Sequence, residues 1–242
     1  MRIPLAPGGW REILWMTLLL GLPGLSMLLL AGRWSGWWWA AGGVPTGLWL
    51  AGLAFFRDPQ RRIVWRPGEL LAPADGRVTE VTVLPDHPEI GGPAVRTGIF
   101  LSVLDVHINR SPCAGTVRFV RYEPGVFLDA RHPESGSRNE ANTVVIDPDA
   151  PLPGPVIVRQ VAGRIARRIV SGVRPGERVE AGQRIGLIKF GSRTELIVPA
   201  GVFEPSAPVG TRCRAGLTVL ARRAGPQGRT DASVPREEAL RA

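Results

Sequence analysis

The chain has 242 residues, 44% of them hydrophobic, and a formal net charge of +9. That length holds one sizeable domain, or one domain with a membrane anchor; Cys113 and Cys213 form no CxxC pair and give no basis for a disulfide framework. Three scattered histidines (His87, His107 and His132) make no metal cluster, so no metal is expected, and the basic balance comes without zinc spacing, a stacked-aromatic strand or a recognition helix, so a membrane surface is the expected partner and not nucleic acid.

The first expected elements are two apolar runs, Ile13 to Ala31 and Trp34 to Phe56, separated by Arg33. Each approaches the roughly 20 residues needed to cross a hydrocarbon core. Trp34, Trp37, Trp38 and Trp39 cluster beside Arg33, at the level where indoles favour the headgroups. Arg2 and Arg11 precede the first run, and Arg57, Arg61, Arg62 and Arg66 follow the second, so both ends are expected on the cytoplasmic side. Residues 1–56 are therefore read as a helical membrane hairpin. A spanning hairpin and a monotopic one dipping into a single leaflet both fit, because Pro23 and Gly42-Gly43-Val44-Pro45 weaken the helices.

After Arg57 the pattern changes to short apolar runs between Gly/Pro turns. Expected strands are Gly76–Val83, Val95–Val103, Gly115–Tyr122, Asn142–Ile146, Val156–Val161, Arg184–Phe190, Thr194–Val198 and Gly216–Leu220, with Ile165–Ser171 a strand or a short helix. The fold class expected is mainly β, a barrel- or sandwich-like domain over residues 57–221 whose glycine-punctuated hairpins resemble lipoyl-type modules. Residues 222–242 are polar and rich in Arg, Gly and Pro, and read as a disordered tail.

Three stretches stand out for chemistry. Phe190-Gly191-Ser192-Arg193 ends one apolar strand and opens another; a serine hydroxyl there is able to attack the preceding carbonyl, and glycine puts no side chain in its path. Pro73-Ala-Asp-Gly76 is a tight turn carrying Asp75, and Phe100–Pro112 carries His107 at the end of an apolar strand, a general acid/base that titrates near neutrality. Taken singly, each has an ordinary structural explanation: a turn, a turn aspartate, a lone histidine.

Together, in this order and spacing, the three stretches resemble the pyruvoyl-dependent phosphatidylserine decarboxylases of the short bacterial type. The resemblance covers roughly residues 55–220. It implies cleavage between Gly191 and Ser192, with residues 1–191 and 192–242 staying associated as β and α chains. It further implies that Ser192 becomes a pyruvoyl group, the built-in cofactor, which forms a Schiff base with phosphatidylserine and yields phosphatidylethanolamine and carbon dioxide. Asp75 is then expected to assist self-processing and His107 to serve maturation or proton return, on the cytoplasmic side of the inner membrane. A homo-oligomer is compatible with the sequence.

Longer relatives carry a second histidine where this chain has Arg110, which is left between an anion-binding and an ion-pairing role. Ser137–Asn142 matches a family segment in Asn139 and Glu140, read with His132 as part of a mobile loop over the site. Phe55-Phe-Arg-Asp-Pro59 is expected to pack the anchor against the domain, and His87 to lie in a surface loop. The alternative from another class is a non-enzymatic, membrane-anchored adaptor or carrier. Against it, the single lysine, Lys189, lies in a strand and not at a hairpin tip, and sustained heptads are missing. A serine hydrolase would need a Gly-x-Ser-x-Gly elbow, which is absent.

Overall fold

The computed structural model describes residues 5–31, 36–129, 132, 134–164, 168–189 and 192–224. The N-terminal helix runs from Pro7 to Ala31 as a 3-10 turn, α1 (Trp10–Met16), a π-helical turn (Thr17–Gly21) and α2 (Leu22–Ala31). The π turn falls just before Pro23, whose ring would otherwise meet the carbonyl four residues earlier and which has no N–H to return. By length and composition this 25-residue helix is apolar enough to cross a membrane, and Leu18, Leu19, Leu22, Leu29 and Leu30 point outward.

The second run forms α3 (Trp37–Phe55), antiparallel to the first helix. Small residues let the two backbones meet. A Cβ on Gly24 would lie 2.9 Å from the Thr46 nitrogen, and one on Gly42 would lie 2.9 Å from the Gly24 oxygen. Higher up, Trp49 Nε1 donates to Thr17 Oγ1 at 2.9 Å. The expected helical hairpin is present; Arg33 and Trp34 lie outside the described residues.

The rest of the chain is mainly β, built on an eight-stranded sheet curled into a half-barrel. Its order is β13 (Arg212–Cys213), β2 (Gly76–His87), β3 (Gly92–Leu101), β11 (Ser192–Pro199), β7 (Val156–Ala162), β6 (Ala141–Pro148), β5 (Gly115–Glu123) and β9 (Arg178–Val179). Leu70, Ile99, Leu101, Val144, Ile146, Val158 and Leu196 fill the interior. A three-stranded sheet, β4 (Ile108–Arg110), β10 (Arg184–Lys189) and β8 (Arg168–Ser171), stands beside it. Another joins β1 (Glu69–Leu71), β14 (Val219–Arg223) and β12 (Phe203–Pro205). Ala6, Phe55, Phe56, Val106, Ile108 and Leu187 form an apolar seam that fastens the base of the hairpin to the small sheet.

Several boundaries differ from expectation, each for a local reason. The strand expected over Val95–Val103 stops at Leu101, because Ser102 donates from N and Oγ to Asp105 Oδ2 and turns the chain. His107 therefore does not end that strand; it precedes β4, in a different sheet. The last strand begins at Val219, since Gly216 sits in a turn with φ +72°, and it runs on to Arg223, so Arg222 and Arg223 are paired strand residues and not tail. Residues 225–242 and 165–167 lie outside the described residues, while Arg168–Ser171 is a strand. His87 ends β2, opposite Gly92.

Gly76 opens β2 at φ +145°, and a Cβ there would lie 2.1 Å from the Phe100 carbonyl oxygen. Gly76→Ala is expected to cost more than about 2 kcal/mol, because backbone and not a movable side chain blocks it. Gly91→Ala, at φ +75° with open space around it, is expected to cost about 1 kcal/mol. Urea midpoints of the two variants check the difference.

Candidate active site

Ser192 is the first residue of β11, and its backbone is held on both sides, opposite Leu101 of β3 and Ala162 of β7. The next residue pins the same strand end: Arg193 Nε donates to Glu195 Oε1 at 2.8 Å and its Nη2 to Glu80 Oε2 at 2.6 Å. Burial opposes the charge on Glu80, yet hydrogen bonds from Arg193, Thr82 and Arg96 hold its carboxyl at about 2. Against this fixed backbone, the Ser192 hydroxyl is fully buried and has no hydrogen-bond partner among the described residues. β10 and β11 belong to different sheets, so the chain crosses from one sheet to the other between Lys189 and Ser192. Gly191 and Phe190, in that crossing, lie outside the described residues.

His107 is also fully buried, with its ring 4.4 Å from that of Phe55, the last residue of α3. Its Nδ1 lies 2.9 Å from the Asp105 carbonyl oxygen. A carbonyl only accepts, so the neutral ring carries its proton on Nδ1 and presents the lone pair at Nε2. That Nε2 is buried and without a partner among the described residues. Burial lowers the imidazole from its usual 6.5 to about 4; the Asp105 carbonyl and the Asp105 and Asp75 carboxylates oppose this, and Arg57 reinforces it. At neutral pH His107 is an uncharged base. Its carbonyl accepts from Ile188 N at 3.2 Å, four residues before Ser192, while Leu101, opposite Ser192, leads into the turn that ends at His107.

Asp75 is clamped. Arg61 grips it with two hydrogen bonds, Nη1 to Oδ1 at 2.6 Å and Nη2 to Oδ2 at 2.7 Å, and Ala215 N donates to Oδ1 at 2.8 Å. Among the described residues its contact with His107 is through charge and not through a hydrogen bond, since Nδ1 faces Asp105.

Asn109 joins the three stretches. Its Nδ2 donates to the Pro73 carbonyl at 3.3 Å and to Thr194 Oγ1 at 3.0 Å, two residues beyond Ser192. Its Oδ1 accepts from Gln160 Nε2 at 2.8 Å, and Gln160 Oε1 accepts from Asn142 Nδ2 at 2.8 Å. Nothing marks Asn109 or Gln160 by local pattern; only the apolar neighbours of Gln160 in β7, where every residue but Arg159 is buried, hint at a buried amide.

The remaining sequence candidates take structural places. Arg110 donates to Asp58 Oδ1 at 3.1 Å, Pro59 O at 3.1 Å and Gly182 O at 3.0 Å, which decides its role in favour of an ion pair. Asp58 also pairs with Arg184. Glu140 is buried and accepts from Ile169 N at 3.2 Å, and Asn139 Nδ2 donates to the carbonyls of Leu128 and Ala162, so neither belongs to a free loop. His132 Nδ1 accepts from Glu134 N at 3.2 Å. Burial pushes the thiols of Cys113 and Cys213 up to about 12 and about 11, which leaves them poor nucleophiles.

A family model described as phosphatidylserine decarboxylase matches residues 52–221. The chain is 46% identical over 184 residues to the phosphatidylserine decarboxylase proenzyme of Symbiobacterium thermophilum, covering 76% of this chain and 84% of the relative. It is 42% identical over 224 residues to the proenzyme of the same name from Rhodopirellula baltica, covering 91% and 88%. With that of Salinibacter ruber it shares 43% over 180 residues, 72% and 77% of the two chains.

The lowered imidazole has a consequence for stability. Folding favours neutral His107, so its contribution is fully present above about pH 6.5 and is lost as pH falls towards about 4. The loss is up to about 3 kcal/mol. On a common Ser192→Ala background, urea unfolding is expected to weaken over this interval less in His107→Gln than in the protein that keeps His107.

Proposed function

The chain belongs to the phosphatidylserine decarboxylase family, and from that premise we propose that it converts phosphatidylserine to phosphatidylethanolamine and carbon dioxide with a pyruvoyl group made from its own Ser192. The observation that carries this reading is the pair of orphaned polar atoms, Ser192 Oγ and His107 Nε2. Buried polar side-chain atoms are ordinarily paired, and here a hydroxyl that must react has no partner among the described residues on a backbone clamped from both sides.

In maturation His107 Nε2 takes the Ser192 hydroxyl proton, and Oγ attacks the Gly191 carbonyl carbon. The amide C–N bond breaks as the ester forms, freeing the amino group of residue 192. Loss of the Cα proton and of the Gly191 carboxylate leaves a dehydroalanine, and water replaces its nitrogen to give ammonia and a carbonyl. The ladders to β3 and β7 hold that position in place, and because β11, β13 and β14 pair with strands from before the cut, the two chains stay together.

The pyruvoyl carbonyl supplies an electron sink for the bonding pair left when carbon dioxide departs. Asp75, held by Arg61, and Asp105 favour a positive charge on His107, and this offsets part of the burial penalty when the ring carries a proton back to the substrate carbon. The Phe55 ring lies tilted against that ring at the base of the hairpin, so the chemistry sits at the membrane end of the domain, next to a substrate that stays in the bilayer. The arginines flanking the hairpin favour the cytoplasmic face. Residues 1–56 then serve as the anchor and 57–221, continued by Arg222 and Arg223 of β14, as the catalytic domain. Membership of a decarboxylase family leaves the adaptor reading without support.

Denaturing mass spectrometry tests the reading. Wild type is expected to split after Gly191, its smaller piece lacking a free amine and lighter by one ammonia than a serine-start peptide. Ser192→Ala is expected to remain one chain and to release no carbon dioxide. His107→Gln is expected to split at least about 100-fold more slowly. Normal decarboxylation by Ser192→Ala would sink the mechanism.

A further inference from the structure

We propose that a cavity at the foot of the N-terminal helix holds the phosphodiester of the lipid substrate, with Arg11 and Arg168 as its ligands. The assignment rests on the decarboxylase reading above and extends it to how the headgroup is held. The cavity measures about 570 Å³, within the roughly 300–1,000 Å³ common for small-molecule sites. Its walls include Trp10, Arg11, Glu12 and Trp15 from the helix, Arg168 from β8 and Lys189 from β10.

Charge argues for an anion. Lys189 and Arg168 lie directly opposite each other on antiparallel strands, and like charges so placed repel. Arg11 adds a third cation on the facing wall. Glu12 forms an ion pair with Lys189 at 2.6 Å and reaches Arg11 only through charge, which leaves one carboxylate against three cations in the wall. Among the described residues neither Arg11 nor Arg168 has a carboxylate within ion-pair distance. Two free guanidiniums around one cavity suit the oxygens of a phosphodiester, which they bind through paired hydrogen bonds.

Position argues for a lipid headgroup. Trp10 and Trp15 are 62% and 59% exposed on α1, where the apolar helix meets the domain; indoles at that level sit among headgroups. Lys189, in the cavity wall, is three residues from Ser192, at most about 10 Å of extended chain. A phosphodiester held between Arg11 and Arg168 lies against the end of β10, the strand that precedes the reacting residue.

Decarboxylation by Arg168→Gln and Arg11→Gln, with splitting confirmed by mass spectrometry, tests this against wild type. Two substrates are compared: phosphatidylserine in phosphatidylcholine vesicles, and glycerophosphoserine, which carries the headgroup without acyl chains. KM is expected to rise roughly tenfold for both substrates, the loss of one charge-assisted contact, with a smaller change in kcat. A rise confined to vesicles would overturn the proposal in favour of general attraction to an anionic surface, and unchanged KM on both would overturn it outright. A wild type that splits but releases carbon dioxide from neither substrate would instead sink the decarboxylase reading itself.

Discussion

The buried amide chain centred on Asn109 is the interaction on which the site depends. One side chain satisfies the Pro73 carbonyl in the turn that carries Asp75, the hydroxyl of Thr194 on the strand that Ser192 opens, and the amide of Gln160 on the neighbouring strand. Asn109 itself lies two residues after His107. Four segments far apart in sequence thus meet through groups with no access to water, where each unmade hydrogen bond leaves a desolvated polar atom. Such a network tolerates one arrangement of its strands and penalises slippage. It supplies the rigidity against which the Ser192 hydroxyl and the Nε2 of His107 are left without a partner among the described residues.

A second constraint is the apolar seam beneath the hairpin. Phe55, the last residue of α3, and Phe56, its C-cap, pack on Val106, Ile108 and Leu187, so the N-terminal hairpin and the sheet next to His107 share one hydrophobic cluster. Phe55 also covers the imidazole. Burial, to which that ring contributes, lowers the imidazole, and so the same contact that fastens the hairpin to the domain also favours a neutral His107. The ion pairs are arranged to serve this geometry. Asp58 binds Arg110 and Arg184 at the foot of the hairpin, and Arg61 fixes Asp75; both acids come from or are held by the stretch that follows the second helix.

Strand periodicity and turn residues carried most of the fold. Eight runs between Gly/Pro turns correspond to observed strands because alternating apolar residues have one stable answer, a half-buried ladder. The short strands were illegible: β4 and β9, at three and two residues, hold no period, and their pairing comes from neighbours brought in from elsewhere. His107 shows the cost, since the run before it looks continuous until the Asp105 side chain turns the chain at Ser102.

The sequence by itself determined an apolar N-terminal hairpin, a mainly β domain and the identities of Ser192, His107 and Asp75 as the residues to watch, because hydropathy, period and motif are local properties. Only the tertiary structure decided that Arg110 serves an ion pair, that Glu140 is buried, and that Asn109 and Gln160 bind the site together. It alone decided, too, that His107 is neutral and faces Phe55. Hydrogen-bond satisfaction and desolvation depend on which distant atoms close around a group, and no window of sequence contains those atoms.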